Sequence, residues 1–185
     1  EHFPESASIT RLMQSSRASF RRESYNLVGR FCQFAPSLVL LSNTESTKIT
    51  PLATLMPNLI SGEKDSSNFV ALLELVLSHL SVFRNNASKD GSTENPWNAM
   101  DAFAFVKALS KSLRKACYGS PATSWAQMIL PIVASLPCDV DEEQQSPLVI
   151  VESLWEGRKS AINTFDASAI VSSVVECVTY LLLRR

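Results

Sequence analysis

Residues 121–137 read PATSWAQMILPIVASLP, an almost wholly apolar stretch with three prolines and no acid, base or histidine. Its apolar residues recur at the spacing of a helix, yet Pro131 sits inside it. A proline there removes one backbone donor and is expected to kink or restart the helix near residue 130. The stretch suits packing and shape rather than chemistry, so the question is whether the rest of the chain is of the same kind.

Upstream, RASFRRESYNLVGRFCQFAP (17–36) places Phe20, Ser24, Leu27, Phe31 and Ala35 on one helical face, with Val28 and Cys32 beside it. Pro36 ends that helix, because the residue before a proline avoids the α region. PSLVLLS reads as a short second helix. TPLATLMPNLISG reads as a third, with Thr50 as cap, Pro51 at the first helical position and Gly62 as the stop. SSNFVALLELVLSHLSVF follows, capped by Ser66 or Ser67, with Phe69, Leu72, Leu73, Val76, Leu77 and Leu80 forming a wide apolar face. Residues 84–95, RNNASKDGSTEN, are mostly polar and are expected to form a flexible loop.

Asn95 and Pro96 then start a long helix, PWNAMDAFAFVKALSKSLRKACY, which YGSP breaks. After the opening stretch, 138–146 is expected to be a second flexible, acidic loop. SPLVIVESLWEGRKSAI is helical with Ser146 as cap, although Val149, Ile150 and Val151 also suit a strand. In the last helix Asp166 reads as the cap and Ile170, Val174, Cys177, Val178 and Leu181 as the seam. About eight helices with short links make antiparallel neighbours. Paired into hairpins of roughly forty residues, they predict an all-α fold: an irregular α-solenoid of the HEAT or armadillo kind over 1–185, a compact all-α bundle being the alternative. The apolar final helix favours the solenoid, since an internal repeat leaves a face for its neighbour. The chain begins without methionine, and the reading taken is a fragment of a longer array.

Composition agrees. Apolar residues make up 45% and charged residues 19%, which gives enough oil for a core. Five glycines are few for a fold of tight β-turns. A net charge of −1 exerts no global pull on nucleic acid or acidic membranes. No apolar run reaches membrane-spanning length, and no signal peptide is visible.

Chemistry-bearing patterns are sparse. Cys32, Cys117, Cys138 and Cys177 lie far apart, form no CxxC pair, and are joined by only two histidines, His2 and His79. A zinc site is therefore rejected, and buried reduced thiols in a reducing compartment are expected. His79 has no acidic residue three or four positions away and reads as a helix-surface or groove histidine rather than a general base. Asp139, Asp141, Glu142 and Glu143 lack the glycine and ligand spacing of a calcium loop. Asn86, Ala87 and Ser88 match a glycosylation acceptor that has no use without a signal peptide. No phosphate-cradling glycine loop occurs.

Lys107, Lys111, Arg114 and Lys115 share one helical face. They form a candidate stripe for phosphate or an acidic partner. An ordinary solvated face explains the same spacing and is favoured over it, since no aromatic residues interleave for base stacking. Arg21 and Arg22 form a weaker candidate, for which hydrogen bonding to neighbouring helix ends is an equal reading. Trp97, Trp125 and Trp155 suit either partner contact or wedging between helices.

Several stretches, in one order, resemble the listerin family. In SFRRESYNLVGRFCQFAPSLV the likeness lies in Arg22, Tyr25, Leu27, Val28, Cys32, Gln33 and Pro36. In GSPATSWAQMILPIVASLP it lies in Leu130, Pro131, Ile132, Ser135, Leu136 and Pro137, and in VESLWEGRKS in Ser153, Leu154 and Gly157. SAIVSSVVECVTYLLL follows, with Glu176 and Cys177 in register. The likeness extends over most of 15–183, rests mainly on packing residues, and has no counterpart at 84–99.

The resemblance implies the N-terminal HEAT-repeat region of a long cytosolic E3 ubiquitin ligase of ribosome-associated quality control. That family acts on large ribosomal subunits holding stalled nascent chains, beside the partner that extends those chains. Its zinc-bearing RING lies at the far C-terminus and recruits the E2 enzyme. This chain lacks the paired Cys/His ligands of a RING, so the resemblance implies no cofactor, metal or catalytic residue here, and no membrane or DNA partner. Two other classes compete: a HEAT adaptor of nuclear transport or trafficking, and a small helical enzyme, against which the poverty of histidines counts.

Overall fold

A computed structural model describes residues 6–34, 52–90, 102–114, 122–136, 147–160 and 164–184. All regular structure among them is helical, and no strand is present. The helices are α1 (Ser6–Met13), α2 (Ala18–Phe34), α3 (Leu52–Gly62), α4 (Ser66–Asp90), α5 (Ala102–Leu113), α6 (Ala122–Ser135), α7 (Pro147–Gly157) and α8 (Thr164–Arg184). A 3-10 turn, Arg158–Ser160, joins the end of α7. The ambiguous run Val149–Val151 is thus helical.

The packing order is regular. Even-numbered helices stack in succession, α2 on α4, α4 on α6 and α6 on α8. Odd-numbered helices do the same, α3 on α5 and α5 on α7, while α1 lies on α2 and α7 also touches α8. The core runs between these two ladders. α4 is the most deeply set rung: Phe69, Ala71, Leu72, Leu73, Leu75, Val76 and Leu80 are all buried, which covers most of its circumference. α5 and α6 contribute Phe105, Val106, Leu109, Leu113, Ile129, Ile132 and Val133. Burying a side chain of this size stabilises by about 1.5–3 kcal/mol, and these contacts hold the two layers together.

Several expectations need correction. The polar stretch from Arg84 to Asp90 is the last part of α4 and not a loop. A helix already propagating adds each residue at little cost, and no glycine or proline interrupts it before Gly91. Its cap is Asp65 and not Ser66 or Ser67: Asp65 Oδ1 accepts the Asn68 N–H at 3.0 Å. α8 starts at Thr164, so Asp166 lies inside its first turn.

α2 is rotated from the expected face. It buries Ser24, Tyr25, Val28, Gly29 and Cys32 and leaves Phe20 and Leu27 exposed. Both faces of α2 are apolar enough to serve. The side carrying Tyr25, Val28, Gly29 and Cys32 is the buried one and α2 packs on α4; a Cβ added at Gly29 would meet the Ser78 hydroxyl oxygen at 3.8 Å, an ordinary contact.

α6 runs through Pro131, as α3 runs through Pro57. Pro131 and Gln127 both face solvent, so the Gln127 carbonyl deprived of its helical donor is on the wetted side. In α8, Ile170 and Cys177 are buried and Val174, Val178 and Leu181 half-buried, which matches the expected seam. The candidate helix 36–42, the caps Thr50 and Ser146, and the acidic loop 138–146 lie outside the described residues.

Candidate interaction surfaces

Among the described residues, a dense polar cluster sits where the α1–α2 turn, the start of α2 and the α3–α4 link meet. Arg21 grips Glu63 with two parallel bonds, Nε to Oε2 at 2.9 Å and Nη2 to Oε1 at 2.7 Å. Its remaining nitrogen, Nη1, donates to the Ser15 carbonyl at 2.8 Å and the Ser16 carbonyl at 3.2 Å. The Tyr25 hydroxyl donates to Glu63 Oε2 at 2.9 Å. Backbone N–H groups of Lys64 and Asp65 donate to Glu63 Oε1, each at 3.1 Å. Beside them Asn68 Nδ2 donates to the Ala18 carbonyl at 2.9 Å.

The Glu63 side chain is shut off from solvent and that of Arg21 is 16% exposed. Burial pushes the Glu63 carboxyl up, but the bonds from Arg21, the Asp65 N–H and Tyr25 outweigh it and hold the group below the usual carboxylate range. The bond to Glu63 raises the Arg21 guanidinium, and burial followed by the Glu63 charge raises the Tyr25 phenol. Every group here is engaged with another part of the same chain. The arrangement clamps three segments together. Arg21 is therefore spoken for, whereas Arg22 is exposed on the next position.

The stripe on α5 is laid out as its spacing predicts for the described part. Lys107, Lys111 and Arg114 are exposed while Leu109 and Leu113 are buried. Lys115 lies outside the described residues. Two of the three cations have neighbours: Lys107 Nζ lies 5.7 Å from the centre of the Phe103 ring, and Arg114 Nε meets Glu156 of α7 at 2.8 Å. That ion pair is 52% exposed on each side, so it is a weak tie. Arg158 stacks on Trp155 at 3.4 Å from the ring centre and donates to the Trp155 carbonyl at 2.6 Å. The α5–α7 surface thus joins lysines, arginines and a half-exposed tryptophan. Trp97 and the Trp125 side chain lie outside the described residues.

His79 differs from its expected position. It is buried, at 3% exposure, and burial pulls its imidazole down to about 4, so it is neutral at physiological pH. A wide apolar α4, with Leu75, Val76 and Leu80 around it in sequence, was the available signal. Cys32 and Cys177 are buried, and burial pushes both thiols up to about 11, where they react slowly. Cys117 and Cys138 lie outside the described residues. Among the described residues, no three His, Cys, Asp or Glu side chains converge as a metal site, and no helix is long and apolar enough to cross a membrane.

Comparison with protein-family models, with curated proteins and with solved structures found no match to this chain.

Proposed function

We propose that this chain is a scaffold segment that works by shape, an irregular α-solenoid of HEAT-type hairpins from the N-terminal region of a listerin-like ubiquitin ligase. The observation that carries the reading is the packing order: even helices rest on even ones and odd helices on odd ones, which is how stacked hairpins bury their faces. The resemblance in sequence supplies the family. Two further features support a positional role. Among the described residues, the Arg21–Glu63 cluster is spent on clamping helix ends, and Lys107, Lys111 and Arg114 are exposed on one face of α5.

In this reading the segment sets the distance between a ribosome-docking end and a catalytic RING elsewhere in the parent protein, which would recruit the E2 enzyme. Lys107 and Lys111, with Arg114 and Lys115, offer cations to ribosomal RNA phosphates or to an acidic quality-control partner. The parent protein, with and without this segment, is to be tested for capture of large ribosomal subunits bearing stalled chains. Loss of capture on deletion is expected. Lys107→Glu with Lys111→Glu is expected to weaken capture and flatten its dependence on salt. Unchanged capture after deletion would overturn the ribosomal role. An unchanged salt slope after charge reversal alone would reduce the stripe to a solvated face.

A further inference from the structure

We infer that the outer face of α4 and α6 is a docking groove for a basic amphipathic helix of a partner protein. The inference concerns the even side of the packing and is independent of any ribosomal role of the α5 cations.

α4 and α6 pack side by side, with α2 and α8 beyond them. On α4 the exposed Glu74 stands between the half-buried Val70 and Leu77, at positions i, i+4 and i+7 of one face. On α6 the exposed Gln127 and Pro131 mark the outer side, with the half-buried Leu130 between them. An ordinary domain draws about a quarter of its residues from Asp, Glu, Lys and Arg, and these lie mostly on the surface. α6 has none of them, and on α4 Glu74 is the single one from residue 66 to residue 83. The odd side differs, since α5 and α7 expose Lys107, Lys111, Arg114, Glu152 and Glu156. An outward face so poor in charge, with rungs on both sides of it, is of the kind a partner covers.

Its few polar groups say what that partner carries. Glu74 offers a carboxylate and enters no ion pair among the described residues. The Gln127 carbonyl has lost its helical donor to Pro131 and is on the wetted side. Both are acceptors, and no base lies on either helix over these residues to answer them. A lysine or arginine supplies donors and positive charge together, while an apolar stripe on the same segment covers Val70, Leu77 and Leu130. The segment is a helix rather than a strand, because an added strand needs a sheet edge and every described element is helical. A second copy turned face to face would set Glu74 against Glu74, so this chain is not its own occupant. One helix laid along one groove is a small interface, which places the affinity in the micromolar range or weaker.

The test uses the chain as it is and two fluorescent peptides of about five helical turns with the same leucine stripe, one bearing lysines on its other face and one bearing glutamates. Fluorescence anisotropy is expected to show binding of the leucine–lysine peptide and about tenfold weaker binding of the leucine–glutamate peptide. Glu74→Lys and Gln127→Lys, both at exposed positions, are each expected to weaken the first peptide about tenfold, and the double variant to prefer the second. Glu152→Lys on α7 changes the net charge equally and is expected to leave binding as it was. Circular dichroism verifies that the variants fold, and sedimentation velocity is expected to show the unaltered chain as a monomer. No binding of the leucine–lysine peptide, equal binding of both peptides, or an equal loss in Glu152→Lys would each overturn the inference. A dimer of the unaltered chain that Glu74→Lys dissolves would overturn it too, by making a second copy the occupant.

Discussion

Arg21 and Glu63 lie 42 positions apart in the chain and meet through a two-pronged ion pair whose carboxylate is closed off from solvent. Neither residue has its meaning alone. The guanidinium closes the turn before α2 through the Ser15 and Ser16 carbonyls, and the carboxylate closes the link between α3 and α4 through two backbone N–H groups. Removing one partner strands the other in a poorly hydrated place. Arg21→Ala is expected to cost about 3 kcal/mol, and Arg21→Lys to recover little, because an ammonium does not match both oxygens. Urea midpoints of Arg21→Ala, Glu63→Ala and the double variant provide the check. The double variant is expected to lose less than the two single losses added.

His79 sets the acid side of the stability profile. Its imidazole titrates near 6.5 in the unfolded chain and at about 4 in the folded one, so the unfolded state binds the extra proton between those values. Stability is therefore expected to be level above pH 6.5 and to fall by about 3 kcal/mol as pH drops to 4. Glu63, depressed in the folded state, adds its own loss only below the ordinary carboxylate range. Urea unfolding of His79→Leu between pH 7 and 4 is expected to show a flattened slope.

Gly29 lies inside α2 and is buried, yet a Cβ there would meet only the Ser78 hydroxyl at an ordinary 3.8 Å. Gly29→Ala is expected to raise stability by about 0.5–1 kcal/mol, since glycine in a helix interior loses more freedom on folding. Gly29→Leu has no such room and is expected to lower the thermal midpoint.

The start of α4 separates two capping assignments. Asp65→Ala is expected to cost about 1 kcal/mol through loss of the bond to the Asn68 N–H, and Ser66→Ala to cost a few tenths at most. Chemical denaturation of the two variants side by side tells which residue caps.

Arg114→Ala removes the pair with Glu156 in a setting exposed on both sides, and a change below about 1 kcal/mol is expected. Its thermal midpoint is therefore expected to stay close to that of the unaltered chain.

Much of the helical plan was legible because apolar spacing in α4, α5 and α8 leaves one reading. Phe69 to Leu80 on α4 and Ile170 to Leu181 on α8 fall where that spacing puts them. α2 was ambiguous for a physical reason: Phe20 and Leu27 compete with Tyr25, Val28 and Cys32, and the contest is settled by packing on α4, which lies far along the chain. The end of α4 was missed because polar residues read as a loop, although a polar helix end needs no core. The exposure of Lys107, Lys111 and Arg114 was legible from one helical face. The Arg21–Glu63 clamp was not, since nothing local in either segment marks a partner 42 residues away. For His79 the missing acids in sequence say nothing about depth; the apolar residues around it on α4 are what put it in the core.

Two buried thiols among the described residues occupy opposite extremes of the even series, Cys32 in α2 and Cys177 in α8. A sulfur held in oil with its proton on is alkylated chiefly when its helix lifts away. The molecule thus carries a gauge at each end, and the alkylation rates of Cys32 and Cys177 under native conditions read how often each end frays, independently of the other.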